Sequence, residues 1–278
     1  MDSIINSVKN LKIYDSSMFH MEEILEKYNE YLKKMLELDP KRMKYFLLTI
    51  KSREIVNNQE TEFEGSFLYE LYQLTQKKDS IEITMKHFEQ PEVTKDDIKK
   101  IHRVVIKGSP DDLKKNYDFR SDNDKWIGTF GASGDRQIDY VPPDYRELDE
   151  LLDIALEYLN NENKDIFQSM FLDPLIAHAL IAYIQPFGNG NTRLARVLQH
   201  CKFWKSTNKV LDMKFDLPTF YLSKNYLITR GQYRRLLKNI IIEKNDDSWN
   251  RWFKYNLNMI DDQLYFLNNQ LTQYSRMK

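Results

Sequence analysis

The sequence contains little cysteine, glycine or proline, and each shortage excludes a class of structure. A single cysteine, Cys201, cannot form a disulfide within the chain, so the fold does not depend on an oxidising compartment. Its apolar neighbours predict a buried thiol that packs in the core. Eight glycines and eight prolines are few for 278 residues. This composition favours long helices over many short strands.

Long apolar runs and a dominant sign of charge are also missing. No segment approaches the ~18 uninterrupted apolar residues that would cross a bilayer, and the first residues lack the pattern of a signal peptide. The 41 basic and 42 acidic residues nearly cancel, so nothing favours attraction to nucleic acid or to a membrane. We therefore expect a cytoplasmic protein that binds neither. A hydrophobic content of 41% is enough for a sizeable core.

Apolar residues recur at helical spacing through most of the chain. Residues 126–141 differ, because β-type residues flank a glycine-bearing turn there and predict a small hairpin. Asp173 and Pro174 predict the start of a helix, with Asp173 as its cap, and Gln185-Pro186 ends that helix. The predicted fold class is all-α with one β-hairpin, in a single unit without linkers or repeats.

The segment from Gln185 to Arg196 carries most of the chemical information. It predicts a helix, a tight glycine-bearing loop and a second helix that begins near Asn191. Unpaired N–H groups at the start of that helix point into the loop and favour an anion. Arg193 and Arg196 lie in its first turns, where positive charge is unfavourable unless an anion or carboxylate lies between them. Spacing alone leaves open a phosphate site or a helix corner with surface arginines.

The same segment resembles the motif of the Fic domain family, which is His-Pro-Phe-x-Asp/Glu-Gly-Asn-Gly-Arg-x-x-Arg. The matching positions are Pro186, Phe187, Gly190, Asn191, Arg193 and Arg196. Residues 117–120, 126–128 and 140–143 are similar to the family's hairpin, and the likeness spans about residues 45–255. It implies an all-helical scaffold for nucleotidyl transfer, in which AMP moves from ATP to a hydroxyl of a target protein.

The resemblance also implies a division of the chain. Residues 1–278 form one Fic-type unit, with N-terminal helices over about 18–75. The core covers about 95–255, and a C-terminal helix covers 256–278.

Three positions depart from the family's motif. Gln185 stands where the family has the histidine that acts as general base, and an amide cannot take up a proton. Since general base catalysis contributes ~10²- to 10⁴-fold, transfer should be severely weakened. Asn189 stands where the family has a carboxylate that holds Mg²⁺, so a metal ion should bind more weakly. Thr192 replaces the second glycine and either crowds the phosphates or adds a donor.

The resemblance further implies a nucleotide site and a protein partner. ATP or ADP would contact the residues Gly188, Gly190, Asn191, Thr192, Arg193, Arg196 and Tyr233. An unidentified target protein would add a strand to the hairpin, at the residues Trp126, Ile127, Gly128, Thr129 and Phe130. A homodimer is left open.

A segment before the core resembles the inhibitory helix of many Fic proteins. Residues 60–65 approximate its Ser/Thr-x-x-x-Glu-Gly pattern, and Glu64 would pair with Arg196. A carboxylate bound to both nitrogens of that arginine would compete with the nucleotide. The alternative is a solvated acidic patch at a helix junction.

The five histidines show no metal-ligand spacing, and no metal site is predicted from them. His102 and His178 lie on apolar helix faces, which favours packed histidines with satisfied hydrogen bonds. His178 lies two turns, or ~10 Å, from Gln185 along the helix and cannot replace the missing base.

Three functions stay open on this reasoning. The first is an ATP-dependent AMP-transferase with slow or altered chemistry, held in check by Glu64. The second is an inactive module that changes its protein interactions on binding nucleotide. The third is a hydrolase that removes AMP, although such a reaction would need the metal that Asn189 disfavours.

Overall fold

The computed structural model describes residues 3–60, 80–107, 112, 117–130, 134–162 and 165–276. Within them the fold is all-α with one antiparallel hairpin, as the sequence predicts. The helices are α1 (Ser3–Lys9), α2 (Asp15–Leu36), α3 (Pro40–Glu60), α4 (Ser80–Phe88), α5 (Lys95–Ile106), α6 (Leu148–Asn160), α7 (Asp173–Ile184), α8 (Asn191–Val210), α9 (Ser223–Ile228), α10 (Arg230–Glu243) and α11 (Asp246–Arg276). The strands are β1 (Ile127–Phe130) and β2 (Arg136–Tyr140). No helix in these ranges combines the length and apolar composition of a membrane span.

Helices α7 and α8 form the centre of the molecule. Every residue of α7 is buried, since this helix is apolar on all sides and packs between α6, α8 and α10. Helix α8 also packs against α3, α4 and α5. Cys201 on α8 is a buried free thiol, as predicted. The loop between α7 and α8 therefore connects two helices that are each packed on several sides.

The start of α7 differs from the prediction. A π-helical turn, Gln168–Leu172, runs directly into α7, so Leu172 takes the cap position with helical backbone. Asp173 lies inside the helix and accepts a hydrogen bond from Gln168 Nε2 at 2.5 Å. Burial raises the pKa of Asp173 to about 6. The predicted Asp cap is wrong, because the preceding turn already provides helical backbone.

The C-terminal helix also begins earlier than the predicted residue 256. Helix α11 starts at Asp246, where Asn245 Oδ1 accepts from the backbone N–H of Ser248 at 2.9 Å. Trp249 and Trp252 are fully buried, and Trp252 Nε1 donates to the carbonyl of Leu175 at 3.1 Å. The first turns of α11 therefore belong to the core.

Candidate functional site

Two residues in left-handed backbone conformation delimit the loop between α7 and α8. Gln185 ends α7 with φ 48° and ψ 58°, and Gly190 precedes α8 with φ 76°. A Cβ at Gly190 would lie 2.4 Å from Ile106 Cγ2, so only glycine fits there. The helix that begins at Asn191 starts where the sequence predicts, directly after a tight loop.

The side chain of Asn191 holds this loop together. Its Oδ1 accepts from the backbone N–H of Phe187 at 2.9 Å, and its Nδ2 donates to the carbonyl of Phe187 at 2.9 Å. Nδ2 also donates to Gln185 Oε1 at 3.0 Å. The buried amide of Asn191 thus organises the loop, whereas the resemblance implied a contact with nucleotide.

Gln185 occupies the position of the family's base, and both ends of its amide are engaged. Nε2 donates to the carbonyl of Ala182 at 2.8 Å, while Oε1 accepts from Asn191. The residue is 6% exposed. A buried amide with both ends bound has no means to accept a proton from a hydroxyl.

Arg120 connects the loop to the base of the hairpin, and no role was predicted for it beyond the likeness of residues 117–120 to the family's hairpin. Its Nε donates to the carbonyl of Gln185 at 3.0 Å, and its backbone N–H donates to the carbonyl of Pro186 at 2.9 Å. Its Nη2 donates to the carbonyls of Pro143 and Ile184. Burial lowers the pKa of Arg120. One guanidinium thus fixes two segments that are far apart in sequence.

Two further side chains bind carbonyls of the loop. Lys125 Nζ donates to the carbonyl of Gly188 at 2.5 Å. His102 Nε2 donates to the carbonyl of Asn189 at 2.9 Å in the tautomer that this contact requires. The imidazole of His102 stacks on Phe187 with ring centroids 3.6 Å apart. His102 is therefore a packed histidine, as predicted.

A pocket of about 620 Å³ opens beside this loop, between the hairpin and α10. The predicted site residues in its described lining are Gln185, Asn189, Gly190, Asn191, Thr192, Arg193 and Tyr233. Of the predicted target-binding residues, Ile127 and Gly128 also line it. A Cβ at Gly128 would lie 2.0 Å from the carbonyl oxygen of Gln137, so the hairpin needs glycine there. The predicted residues of the loop thus lie together along one side of this pocket.

Arg196 is fully buried and makes a contact that the sequence did not predict. Its Nε donates to Asn58 Oδ1 at 2.5 Å, and its Nη2 donates to the carbonyl of Asn58 at 2.9 Å. Asn58 lies near the end of α3. The predicted inhibitory residue Glu64 lies outside the described residues, as do positions 61–65. Asn58, near the end of α3, thus contacts Arg196 a few residues before the segment 61–65.

Tyr233 and His178 form a buried pair at the back of the pocket. The hydroxyl of Tyr233 donates to His178 Nε2 at 2.8 Å, and His178 Nδ1 donates to Gln199 Oε1. Burial lowers the pKa of His178 to about 3. His178 is thus a neutral packed histidine, and it does not replace the base. Tyr233 lines the pocket while its hydroxyl is engaged behind it.

A second buried cluster joins α3, α8 and α9. Glu54 accepts from the hydroxyl of Ser223 and from its backbone N–H, the latter at 3.3 Å. His200 Nδ1 lies 3.3 Å from Glu54 Oε1. Burial raises the pKa of Glu54 to about 8 and holds the pKa of His200 well below its usual range, with the charge of Arg196 lowering both. The contact is therefore one between neutral groups near neutral pH.

Replacing Glu54 with glutamine is expected to remove a pH dependence of stability. Because the folded-state pKa is raised, the contribution of Glu54 is full below about pH 4.5 and is lost as the pH rises to about 8. Arg196 and His200 on α8 and Ser223 on α9 face the carboxyl group. The free energy of unfolding should fall by ~1–4 kcal/mol more in the wild type than in Glu54→Gln. Urea unfolding from pH 5 to 8 measures this. If the free energy of unfolding changes equally with pH in the wild type and in Glu54→Gln, the prediction is contradicted. The control is Glu37→Gln, at an exposed position, which should behave as the wild type does.

The described residues around the loop offer few donors for a divalent metal ion. Within the described part of the chain, no group of three or more His, Cys, Asp or Glu side chains is arranged to hold a metal ion. Asp139 is the one carboxylate among the described residues lining the pocket, and its Oδ1 lies 2.6 Å from Lys238 Nζ. Mg²⁺ is usually held by one or two carboxylates together with phosphates and water. The donors of this pocket do not fit it.

Comparison with known proteins relates this fold and this loop to one family. Residues 92–201 match the model of the Fic/DOC family. The matched region includes the hairpin and the whole motif, and it ends within α8. A search of the curated proteins gave no match.

Solved structures of Fic proteins share the fold over nearly the whole chain. A Fic domain-containing signaling protein from Bacteroides thetaiotaomicron has a TM-score of 0.63 at 13% identity, covering 92% of this chain and 97% of that one. A Fic family protein from Desulfovibrio desulfuricans has a TM-score of 0.55 at 17% identity, covering 100% and 77%. A fragment of Fic-1 from C. elegans has a TM-score of 0.54 at 16% identity, covering 93% and 71%. The likeness thus extends beyond residues 92–201 to the flanking helices.

Proposed function

We propose that this protein binds ATP or ADP in the pocket beside the loop, and that its transfer of AMP to protein hydroxyls is severely impaired. Members of the Fic family are generally AMP-transferases. The observation that carries the impairment is Gln185, whose amide is bound at both ends by Ala182 and Asn191. No group at that position can take the proton of an attacking hydroxyl.

Three features support nucleotide binding. The pocket volume, about 620 Å³, lies in the range of small-molecule sites. The N-terminus of α8 borders it at Asn191 and Thr192, where helix N–H groups favour an anion. Arg193 is in the lining as well, although it is 1% exposed. Positive charge and the N-terminus of a helix at one place favour phosphates over a neutral ligand.

The test is calorimetric titration of ATP and ADP into the wild type and into Glu64→Gly. We expect binding to the wild type and tighter binding to the variant, because the pairing of Glu64 with Arg196 that the resemblance implies would compete with phosphate. Glu37→Gly, at the exposed C-terminal end of α2, is the matched control and should bind as the wild type does. No binding to any of these proteins would sink the proposed nucleotide site.

The second candidate is an inactive module that alters its protein contacts when nucleotide binds, and the engaged amide of Gln185 favours it. Label transfer from α-phosphate-labelled ATP separates the two candidates. A low but real turnover that Gln185→Ala abolishes would exclude the inactive module. Binding of nucleotide without turnover in wild type, Glu64→Gly or Gln185→Ala would support it.

A further inference from the structure

We infer that this pocket binds nucleotide phosphates without a divalent metal ion, and that the ammonium group of Lys125 supplies positive charge in its place. The inference rests on the proposed function, because it concerns the same pocket and the same ligand. It adds the form of the ligand, which is the metal-free nucleotide, and a residue that selects this form.

The first step is the mismatch between the donors and Mg²⁺. Position 189 carries an amide where the family has a carboxylate, and the backbone carbonyl of Asn189 accepts from His102. The carboxylate of Asp139 is paired with Lys238 across the mouth of the pocket. Mg²⁺ is a small hard cation that gives up its bound water reluctantly, so these donors would hold it weakly.

The second step is the charge of the pocket. Its described lining holds five cationic side chains against one carboxylate. The five are Lys125, Arg193, Arg234, Arg235 and Lys238. A metal ion would be repelled by this excess, whereas the phosphates of ATP or ADP carry negative charge that it can balance directly. The same excess makes metal-free nucleotide a better ligand than its magnesium complex.

The third step is the location of Lys125. Its Nζ donates to the carbonyl of Gly188 at 2.5 Å, which places the ammonium at the residue next to Asn189. Lys125 lies just before β1, and neighbouring Arg120 fixes this segment to the loop. An ammonium group is a compact point charge that binds phosphate without strict geometry. The positive charge therefore lies beside the position where the family has its metal ligand.

The experiment is titration of ATP in EDTA and, separately, in excess Mg²⁺. We expect the wild type to bind at least as tightly in EDTA as in Mg²⁺. Lys125→Gln should weaken binding by about tenfold in EDTA, and Lys125→Arg should retain part of it. The control is Lys254→Gln, at an exposed position on α11, which should match the wild type. Asn189→Asp should instead make binding stronger in Mg²⁺ than in EDTA, because it restores a carboxylate.

The outcomes separate this inference from the proposed function. No binding of ATP in either solution overturns both. Binding that requires Mg²⁺ overturns the inference and leaves the proposed function intact. If Lys125→Gln and the wild type bind ATP equally in EDTA, the inferred role of Lys125 is wrong. Circular dichroism of each variant verifies that a lost affinity is not a lost fold.

Discussion

Replacing Gln185 with histidine and Asn189 with aspartate is expected to raise self-modification with AMP by ~10²- to 10⁴-fold, the usual contribution of a general base. The double change supplies a group that can take a proton and a carboxylate that can hold a metal ion. Gln185 already lines the pocket, so a histidine there would start from a position beside the same pocket. The measurement is incorporation of label from α-phosphate-labelled ATP.

The backbone at position 185 also favours this substitution. Gln185 has φ 48°, a left-handed conformation in which histidine occurs more often than most side chains. The change should therefore not add strain. Nδ2 of Asn191 lies next to the site and would lose one acceptor, but it still donates to the carbonyl of Phe187 at 2.9 Å. We expect the variant to fold.

Three control variants show whether the gain depends on both positions, 185 and 189. Each single variant should gain less than the double variant, and Gln185→Ala with Asn189→Asp should gain nothing because it has no base. If the folded double variant gains nothing either, then a further feature prevents transfer. Thr192, at the position of the family's second glycine, lines the pocket and is the first candidate.

The fold class and the limits of the loop could be predicted from sequence because both depend on local chemistry. Pro186 cannot continue the helix before it, and Gly190 adopts a left-handed conformation that other residues rarely take. These effects act within a few residues and leave a pattern in the sequence. The start of α7 was missed because a π-helical turn has no comparable pattern, and its last residue, Leu172, takes the cap position that was expected for Asp173.

The partners of the site residues could not be predicted, because they come from distant segments. Asn58 binds Arg196 across 138 positions of sequence, and Lys125 binds Gly188 across 63. Nothing near Asn58 distinguishes it from other polar residues at the end of a helix. Asn191 shows the same limit in another way, since its place in the motif does not reveal that its amide holds the loop.

Replacing Arg120 with alanine is expected to lower the free energy of unfolding by ~3 kcal/mol or more. Arg120 is 7% exposed, and its guanidinium donates to the carbonyls of Gln185, Asp122 and Pro143. Hydrogen bonds to a charged donor contribute ~1.5–3 kcal/mol each, and their loss leaves buried carbonyls without that donor. Urea denaturation measures the change.

The same variant should loosen the hairpin more than the helical core. The guanidinium joins residues on both sides of the hairpin, at Asp122 and Pro143, to the end of α7. Limited proteolysis should therefore cleave Arg120→Ala within residues 126–141 well before the core unfolds. Arg146→Ala is the matched control, because Arg146 pairs with Asp144 close by but is exposed to solvent. If both variants show the same stability and the same cleavage, Arg120 does not hold the hairpin to the loop. The pocket wall at Ile127 and Gly128 must then be fixed by other contacts. The hydrogen bond from the Tyr140 hydroxyl to the carbonyl of Tyr183 is the next one to test.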